Sequence, residues 1–321
     1  LVETKNENTT TISFIFPIYN EESLICQFFK ELTKELSDLP KNFSYQFICV
    51  DDGSSDNTFN LLKKIKKNNS DIEIIRFSRN FGKEMAIKAG FDYAKGDAAI
   101  LMDCDLEDPI ELIKPMIGKW QEGYDIVYTT RSARNDTFVK RITALAFYKV
   151  IKFLSKTPIY ENSGDFRLFD KRVVNALLKL PERTRFSKGL FNWVGFRSTS
   201  ISYERKVIEG RKTKWNYSKL WEYSLDGIIS FSTIPVRVWT YMGLVCSFIS
   251  LLYAGFIFFS VLTKGIDVPG YASLLIVMLF CNGLLLINLG VLGEYISRIF
   301  IEVKHRPLYI VDEHLKKEKD L

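Results

Sequence analysis

Short apolar runs alternate with amphipathic helical patterns through residues 12–129, and this alternation restricts the fold more than any other feature. The predicted strands are residues 12–17, 45–50, 72–77, 98–102 and 126–129, and the predicted helices are residues 23–36, 59–65, 84–93 and 110–120. Strands that alternate with helices of this length form βαβ units. We therefore predict an α/β fold with a mainly parallel sheet covered by helices on both faces.

A cluster of polar residues follows each of the first four predicted strands. The clusters are residues 19–22, 51–56, 79–83 and 103–108. In open parallel sheets, ligands bind at the carboxyl ends of the strands. We therefore expect the four clusters to converge on one edge of the sheet and to form a binding site there.

The most acidic cluster follows the fourth predicted strand and precedes Pro109 and a helical pattern. On an extended segment, period-two spacing would place Asp103, Asp105 and Glu107 on the same side. Three neighbouring carboxylates repel each other unless a hard cation lies among them, and oxygen ligands suit Mg²⁺ or Mn²⁺. The alternative is an acidic turn exposed to solvent, but the preceding apolar strand favours the metal site.

The familiar glycine-rich nucleotide motifs are absent from the sequence. No G-x-G-x-x-G follows a predicted strand, and no G-x-x-x-x-G-K-[ST] occurs. If a nucleotide binds, carboxylates and a metal must therefore handle its phosphates. Asp51 and Asp52 are candidates to accept hydrogen bonds from a base or ribose. Alternatively they form a turn and cap the helix that begins near Thr58, a role that Asp56 could fill alone.

Composition excludes several classes of function. The net charge of +6 is too small to indicate nucleic-acid binding, although it suits an anionic membrane surface. With only two histidines, a His-based zinc site or a Ser-His triad is not expected. The five cysteines lie in apolar contexts without a C-x-x-C pair, which indicates free thiols in a reducing compartment. The polar, acidic residues 1–11 predict no signal peptide.

Two stretches towards the C-terminus contain no charged residue. Residues 238–263 and 268–293 each exceed the roughly 20 residues that span a bilayer, so we predict a transmembrane hairpin within residues 236–296. Arg237 precedes the first span, and Arg298, Lys304 and Arg306 follow the second. The positive-inside rule then places residues 1–235, the expected catalytic domain, and a tail (residues 297–321) in the cytoplasm, as parts of an integral membrane protein. Polar residues within the spans make self-association into a homo-oligomer plausible.

Two further stretches, residues 138–154 and 217–236, combine large apolar residues with a basic polar side. Helices of this kind lie in the membrane interface, and ordinary core helices are the alternative. The neighbouring spans favour the interfacial assignment.

Several motifs in a fixed order carry a resemblance to a known family. They are P-x-Y-N-E-E at 17–22, D-D-G-S-S-D at 51–56, R-N-F-G-K at 79–83, D-x-D-L-x-D-P at 103–109 and G-D-F-R-L at 164–168. Towards the C-terminus, residues 213–217, 225–228, 230–232, 293–295 and 306–309 also match. The chain resembles family 2 glycosyltransferases of the polyprenyl-phosphate type, a group that includes dolichyl-phosphate mannose synthases and bacterial undecaprenyl-phosphate glycosyltransferases.

The resemblance implies a GT-A fold, a Mg²⁺ or Mn²⁺ ion and a nucleotide-sugar donor. By that resemblance, the nucleotide-sugar contacts are Pro17, Tyr19, Glu21, Asp51, Asp52, Lys83 and Asp103. The implied metal ligands are Asp103, Asp105 and Glu107. Glu107 departs from the family pattern, since bacterial members usually carry Gln there.

The implied reaction is the inverting transfer of a hexose to a polyprenyl phosphate. Glucose from UDP-glucose and undecaprenyl phosphate are the first choice, because residues 214–217 and 230–233 resemble the bacterial glucosyl members most. The candidate contacts to the acceptor phosphate are Arg131, Arg211, Lys212 and Lys214, and Arg211 stands where the family pattern has Gly. The catalytic candidates are Asp105 and Asp165. Asp165 is either a base, an orienting group for the acceptor, or a structural ion-pair partner of Arg167.

Other functions fit the sequence less well. Transfer from GDP-mannose, UDP-galactose or UDP-GlcNAc stays open. A processive polysaccharide synthase would carry Q-x-x-R-W, and no Arg-Trp pair occurs in the chain. An inactive membrane-anchored binding module would be favoured by the loss of a metal carboxylate, yet all the expected carboxylates are present.

Overall fold

In a computed structural model of the protein, the described residues are 9–40, 42–131, 163–203, 234–264 and 270–316. Arg211, Lys212, Lys214 and residues 138–154 lie outside them, as do residues 217–233 of the second predicted interfacial helix.

The described strands form one eight-stranded sheet. They are β1 (Thr10–Ile18), β2 (Phe43–Asp51), β3 (Ile72–Phe77), β4 (Ala98–Leu101), β5 (Ile126–Arg131), β6 (Ser163–Asp170), β7 (Ser198–Tyr203) and β8 (Val311–Leu315). Their order across the sheet is β7-β5-β6-β4-β1-β2-β3-β8. Strands β6 and β8 run antiparallel to their neighbours, and the other pairings are parallel. The prediction of a mainly parallel α/β sheet is therefore confirmed.

The first four helices lie between the strands where the hydrophobic periodicity predicted them, and the helices at Lys171–Leu178 and Ser187–Trp193 were not predicted. They are α1 (Ile25–Ser37), α2 (Thr58–Asn68), α3 (Lys83–Tyr93), α4 (Ile113–Gln121, after a 3₁₀ turn at Ile110–Leu112), α5 (Lys171–Leu178), α6 (Ser187–Trp193), α7 (Ile234–Lys264) and α8 (Tyr271–Val303). The sheet with its surrounding helices, including β8, belongs to one compact unit, and α7 and α8 belong to a second.

The core of the first unit is built on aromatic side chains of the two central strands. Phe14 and Phe16 of β1 are fully buried, and both stack near Phe47 of β2 at centroid distances of 5.6 and 6.4 Å. Phe28 and Phe29 of α1 meet Phe16 edge to face at 5.3 and 5.6 Å. Burial of such rings stabilises by about 1.5–3 kcal/mol each. This packing fixes α1 against the sheet, and with it the polar loop between β1 and α1.

Strand β8 lies in the segment expected from sequence to be a C-terminal tail. It pairs antiparallel with β3, with Arg76 opposite Glu313 and Phe77 opposite Val311. The chain therefore returns after α8 to form the outermost strand of the same sheet. The pairing also covers the edge of β3, which would otherwise expose unpaired backbone groups.

Helices α7 and α8 are apolar along most of their length. Val238–Ile257 and Ile276–Val303 are long and apolar enough to cross a membrane. At 31 and 33 residues, the complete helices extend about 46–50 Å, which exceeds the roughly 30 Å hydrocarbon layer. The prediction of two apolar helices near the C-terminus is confirmed.

Candidate functional site

The four polar clusters predicted to converge lie on one edge of the sheet. Strands β4, β1, β2 and β3 are consecutive parallel neighbours, so their carboxyl ends at Leu101, Ile18, Asp51 and Phe77 face the same way. Strand β6 is antiparallel to β4, with Arg167 opposite Leu101, so its amino end reaches the same edge. That arrangement brings Asp165 beside the segment that follows β4.

The loop after β1 is bound to the loop after β2 by hydrogen bonds. The backbone N–H of Asn20 donates to Ser54 Oγ at 3.0 Å, and Ser55 donates from its N–H to Asn20 Oδ1 at 2.9 Å. The N–H of Glu21 donates to Thr58 Oγ1 at 2.9 Å. Tyr19, which lies between Pro17 and this anchored turn, keeps 42% of its surface exposed. Its ring is therefore accessible to a ligand.

Asp51 is fully buried at the end of β2. Its Oδ1 accepts a hydrogen bond from the N–H of Ser54 at 3.1 Å, and its Oδ2 lies 3.5 Å from Arg76 Nε. Burial raises the pKa of Asp51, and the Ser54 hydrogen bond and the Arg76 charge oppose that shift. These contacts match the turn-forming alternative. Asp56 accepts a hydrogen bond from the N–H of Thr58, the first residue of α2, at 3.0 Å.

Asp52 holds the loop between β3 and α3. Its Oδ1 accepts from the N–H of Phe81 at 2.7 Å, and its Oδ2 accepts from the N–H of Gly82 at 3.0 Å. Burial raises the pKa of Asp52 to about 6, although both backbone hydrogen bonds act in the opposite direction. Because Lys83 follows directly and begins α3, Asp52 fixes where that helix starts.

Gly53 permits the close approach of these two loops. Its φ is +66°, and a Cβ at this position would lie 2.5 Å from the carbonyl carbon of Arg79 and 2.8 Å from the nitrogen of Asn80. A side chain would therefore collide with backbone that cannot move without disturbing the Asp52 hydrogen bonds. The D-D-G sequence is thus explained by loop packing.

The acidic stretch after β4 is not extended, so the period-two argument is wrong. Strand β4 ends at Leu101, residues 104–106 form a bend, and Leu106 has a φ of +58°. The N–H of Glu107 donates to Asp105 Oδ1 at 3.1 Å, and Asp108 is buried and accepts a hydrogen bond from the Tyr203 hydroxyl. Among the described residues, no group of three or more His, Cys, Asp or Glu side chains converges as a metal site.

Lys83 links the segment after β4 to β6. Its Nζ lies 2.7 Å from Asp103 Oδ2 and 2.7 Å from Asp165 Oδ2. Lys188 in α6 adds a second cation, with its Nζ 3.3 Å from Asp165 Oδ1. Two carboxylates that would repel each other are therefore held together by a shared ammonium group. This charge cluster brings together three residues predicted from sequence, Asp103, Asp165 and Lys83.

The two carboxylates and the lysine have shifted pKa values. Burial raises the pKa of Asp103, and Lys83 counteracts the shift. Burial acts the same way on Asp165, but the charges of Lys83 and Lys188 outweigh it and lower the pKa of Asp165. For Lys83, burial opposes the charged form, yet Asp103 and Asp165 raise its pKa well above the usual value. Lys83 and Asp165 are therefore both charged at neutral pH.

Sequence reasoning missed Lys188 and the residue that positions it. Glu84 in the first turn of α3 accepts hydrogen bonds from the N–H of Ser187, at 3.0 Å, and from its hydroxyl. This contact fixes the start of α6 and places the next residue, Lys188, against Asp165. Nothing local in the sequence marks this pairing, since it depends on how α6 packs against α3.

The ion-pair alternative for Asp165 involves more cations than Arg167 alone, although the Arg167 charge also contributes to the lowered pKa of Asp165. Arg167 is fully buried, donates from Nε to the carbonyl of Gly164 at 3.0 Å, and lies against the rings of Tyr128 and Phe191. The ion pairs of Asp165 at this edge are with Lys83 and Lys188.

The phosphate-binding candidates are only partly placed by the structure. Arg131 is the last residue of β5 and lies opposite Tyr203 of β7, but its side chain is not among the parts that the structure describes. Arg211, Lys212 and Lys214 also fall outside it. Their role in acceptor binding stays a prediction.

Comparison with known proteins decides the family. Residues 13–178 match the family described as glycosyl transferase family 2. The chain belongs to this family. An uncharacterized glycosyltransferase from Synechocystis sp. is 51% identical over 306 residues, covering 95% of this chain and 96% of that protein. A bactoprenol glucosyl transferase from Shigella phage SfV is 45% identical over 307 residues, covering 95% and 99%. A prophage-derived bactoprenol glucosyl transferase from Shigella flexneri is 45% identical over 301 residues, covering 94% and 97%.

Family membership confirms the resemblance found in the sequence motifs. Together with the mainly parallel sheet, it also confirms the GT-A fold class. The loops and the charge cluster therefore lie on the edge of a glycosyltransferase sheet.

We predict that Gly53→Ala destabilises the protein by about 1–3 kcal/mol, because the new Cβ meets the Arg79 backbone at a positive φ. Gly118→Ala is the matched control, since it lies in α4 with open space around it and gains helix propensity, up to about 1 kcal/mol. Thermal and denaturant unfolding of the full chain in detergent measure both. Equal stability of the two variants would contradict the proposed collision.

The raised pKa of Asp52 predicts a pH-dependent stability. Between an unfolded pKa of about 3.9 and the folded value, the folded state binds more protons, so the free energy of unfolding falls as pH rises. We expect wild type to lose on the order of 2–3 kcal/mol relative to Asp52→Asn between pH 4 and 7. Asp38→Asn, at the exposed end of α1, is the control. Parallel stability curves for wild type and Asp52→Asn would refute the assignment.

Proposed function

We propose that this glycosyltransferase transfers glucose from UDP-glucose to the phosphate of a polyprenyl lipid such as undecaprenyl phosphate. The observation that carries the proposal is the near full-length identity of 45% to proteins named bactoprenol glucosyl transferase. The charge cluster at the carboxyl edge of the sheet supports it, because a diphosphate donor needs cationic groups there.

We place the donor on the loops that follow β1, β2 and β4. Tyr19 is exposed and is a proposed contact of the nucleotide. Pro17 and Glu21, which are half-buried, are the other proposed contacts on this loop. Asp51 and Asp52 are the proposed nucleoside side of the site, although their present contacts hold the loops. Lys83 is proposed to meet the diphosphate, since its side chain is 43% exposed while bound to two carboxylates.

Asp103, Asp105 and Glu107 are the proposed holders of a Mg²⁺ or Mn²⁺ ion. Their carboxylate oxygens are the hard donors that these ions prefer, and Asp103 already binds a cationic group at 2.7 Å. When bound, the ion would neutralise charge on the departing nucleotide diphosphate.

We assign Asp165 an orienting role. Its pKa is lowered, so it is a weak proton acceptor at neutral pH. The acceptor needs little help of that kind, because a phosphate monoester with a second pKa near ~6 is largely a dianion already. Asp165 instead holds Lys83 and Lys188 side by side, where they can offset the repulsion between the two phosphate-bearing substrates. Arg131, Arg211, Lys212 and Lys214 remain the proposed acceptor-phosphate contacts.

The lipid acceptor requires a membrane-bound enzyme. We propose that α7 and α8 span the membrane as a hairpin and that residues 1–235 and 297–321 lie on the cytoplasmic side. The proposed orientation rests on the excess of basic residues outside the spans, with Arg298, Lys304 and Arg306 after the second apolar stretch. Residues 138–154 and 217–236 are proposed to lie in the interface near the acceptor headgroup.

The test is a transfer assay with membranes that contain the full chain. We expect UDP-[¹⁴C]glucose and undecaprenyl phosphate to give a glucolipid that mild acid cleaves, and EDTA to abolish its formation. GDP-mannose, UDP-galactose and UDP-GlcNAc are assayed in parallel. A lipid product from GDP-mannose alone, or no lipid product from any of the four donors, would overturn the proposal.

The variant arm of the assay compares Asp103→Asn with Asp38→Asn. We expect the first to lower the rate by at least about 100-fold, because it removes charge where the leaving group is stabilised. The second changes an exposed carboxyl at the end of α1 and keeps the wild-type rate. Full activity of Asp103→Asn would contradict the proposal that the active site lies at the carboxyl edge of the sheet.

A further inference from the structure

The segment of residues 309–315, here called the C-terminal segment, contacts the sheet next to the proposed donor site. It follows α8 in the chain. Its strand β8 pairs with β3, with Ile74 opposite Leu315 at one end and Phe77 opposite Val311 at the other. The register shifts between Arg76 and Phe77, at the point where β3 leads into the loop of residues 78–82. The segment therefore ends its pairing where the loop that precedes Lys83 begins.

The first set of contacts supports that loop directly. The N–H of Ser78 donates to the carbonyl of Ile310 at 3.0 Å. The Tyr309 ring stacks on Phe77 with centroids 4.8 Å apart, and Phe77 meets Phe81 edge to face at 5.7 Å. The N–H of Phe81 is the group that Asp52 binds at 2.7 Å. The loop is thus held by Asp52 on one side and, through Phe77, by Tyr309 on the other.

The second set of contacts reaches Asp51. Glu313 of β8 lies opposite Arg76, with Oε1 3.6 Å from Arg76 Nη1, and its Oε2 is 3.0 Å from Lys63 Nζ. The guanidinium of Arg76 lies over the Phe59 ring at 4.2 Å, and its Nε is 3.5 Å from Asp51 Oδ2. Glu313 therefore orients the cation that faces the buried Asp51 carboxylate.

A third set of contacts anchors the C-terminal segment away from the donor loops. The Tyr309 hydroxyl donates to Asp92 Oδ2 at 2.8 Å, near the end of α3. His314 Nε2 lies 2.6 Å from Glu73 Oε1, and its ring meets Tyr93 at 4.9 Å. The segment is thereby fixed to β3 and α3 independently of the loops that it supports.

We infer that the C-terminal segment positions the donor-binding loops, with Tyr309 and Glu313 as positioning residues for Asp52 and Asp51. This inference rests on the proposed function, because it takes Asp51 and Asp52 as the nucleoside side of the site. Neither positioning residue is in contact with Asp103 or Asp165 through any of the interactions described above. Their loss therefore weakens nucleotide binding directly and reaches the chemical step only through the position of Lys83.

A purely structural role makes a different prediction. If β8 only covers the edge of β3, variants of the segment lower stability and leave the nucleotide affinity of the folded protein unchanged. Positioning instead changes affinity in a protein that stays folded. Tyr309→Leu separates the two, because it removes the ring that stacks on Phe77. Tyr309→Phe is its conservative control, since it keeps the ring and loses only the hydrogen bond to Asp92.

The experiment measures UDP binding to the purified full chain in detergent with Mg²⁺, by isothermal titration calorimetry. Tyr309→Leu is expected to weaken UDP binding about 10-fold, or about 1.4 kcal/mol. Tyr309→Phe is expected to stay within about 2-fold of wild type, since the stacked ring remains. Tyr124→Leu is the matched control, because its half-buried ring contacts Arg197 at 4.4 Å just before the amino end of β5, at the edge of the sheet opposite the donor loops.

Kinetic constants supply the second readout. Tyr309→Leu is expected to raise KM for UDP-glucose by the factor seen in UDP binding, with KM for the lipid phosphate unchanged. Glu313→Gln provides a milder variant that keeps β8 paired, and about a 3-fold loss of UDP affinity is expected from the weakened hold on Arg76.

Each outcome decides the inference. Wild-type UDP affinity in Tyr309→Leu overturns it, as does an equal loss in Tyr124→Leu. If Tyr309→Leu does not fold, wild-type affinity in Glu313→Gln overturns it. If the wild-type protein binds UDP but transfers no glucose, the proposed function is wrong. The UDP titrations of the variants then decide this inference on their own. A wild type that binds neither UDP nor GDP overturns both.

Discussion

The ammonium group of Lys83, shared between Asp103 and Asp165, is the interaction on which the site depends. It joins three elements that meet nowhere in the sequence: the segment after β4, the start of β6 and the first turn of α3. Without a cation, two carboxylates at this edge would repel each other, and burial would favour their protonated forms. The charge cluster is therefore a structural junction at the edge of the sheet where we propose that the anionic donor binds.

The position of Lys83 follows from the loops behind it. Asp52 binds the backbone of Phe81 and Gly82, and Gly53 lets the two loops approach closely. The Asp52 carboxylate that makes these contacts belongs to the D-D-G-S-S-D motif, whose aspartates were also candidates to bind the nucleotide. In this fold the same aspartate can hold the loop and lie beside the proposed site, because its oxygens accept hydrogen bonds from backbone at the carboxyl edge of the sheet.

Local patterns predicted much of this arrangement, and long-range pairing determined the rest. Hydrophobic periodicity located the strands and helices through β5, and the polar clusters located the edge of the sheet. Strands β6 and β8 run antiparallel and pair with strands distant in sequence, so no local pattern predicts their partners. The same limit hid Lys188, which the Glu84 contact places against Asp165. The period-two argument for the metal ligands was wrong because Leu106 has a positive φ and ends the extended path.

The central claim is that the carboxyl edge around Lys83 holds the donor diphosphate. The most direct measurement is a structure of the full chain with UDP and Mn²⁺, with anomalous scattering recorded at the manganese edge. We expect the diphosphate in contact with Lys83, the uridine beside the loops of Asp51 and Asp52, and the manganese peak next to Asp103. A nucleotide bound elsewhere on the chain, or a manganese peak remote from Asp103, would contradict it.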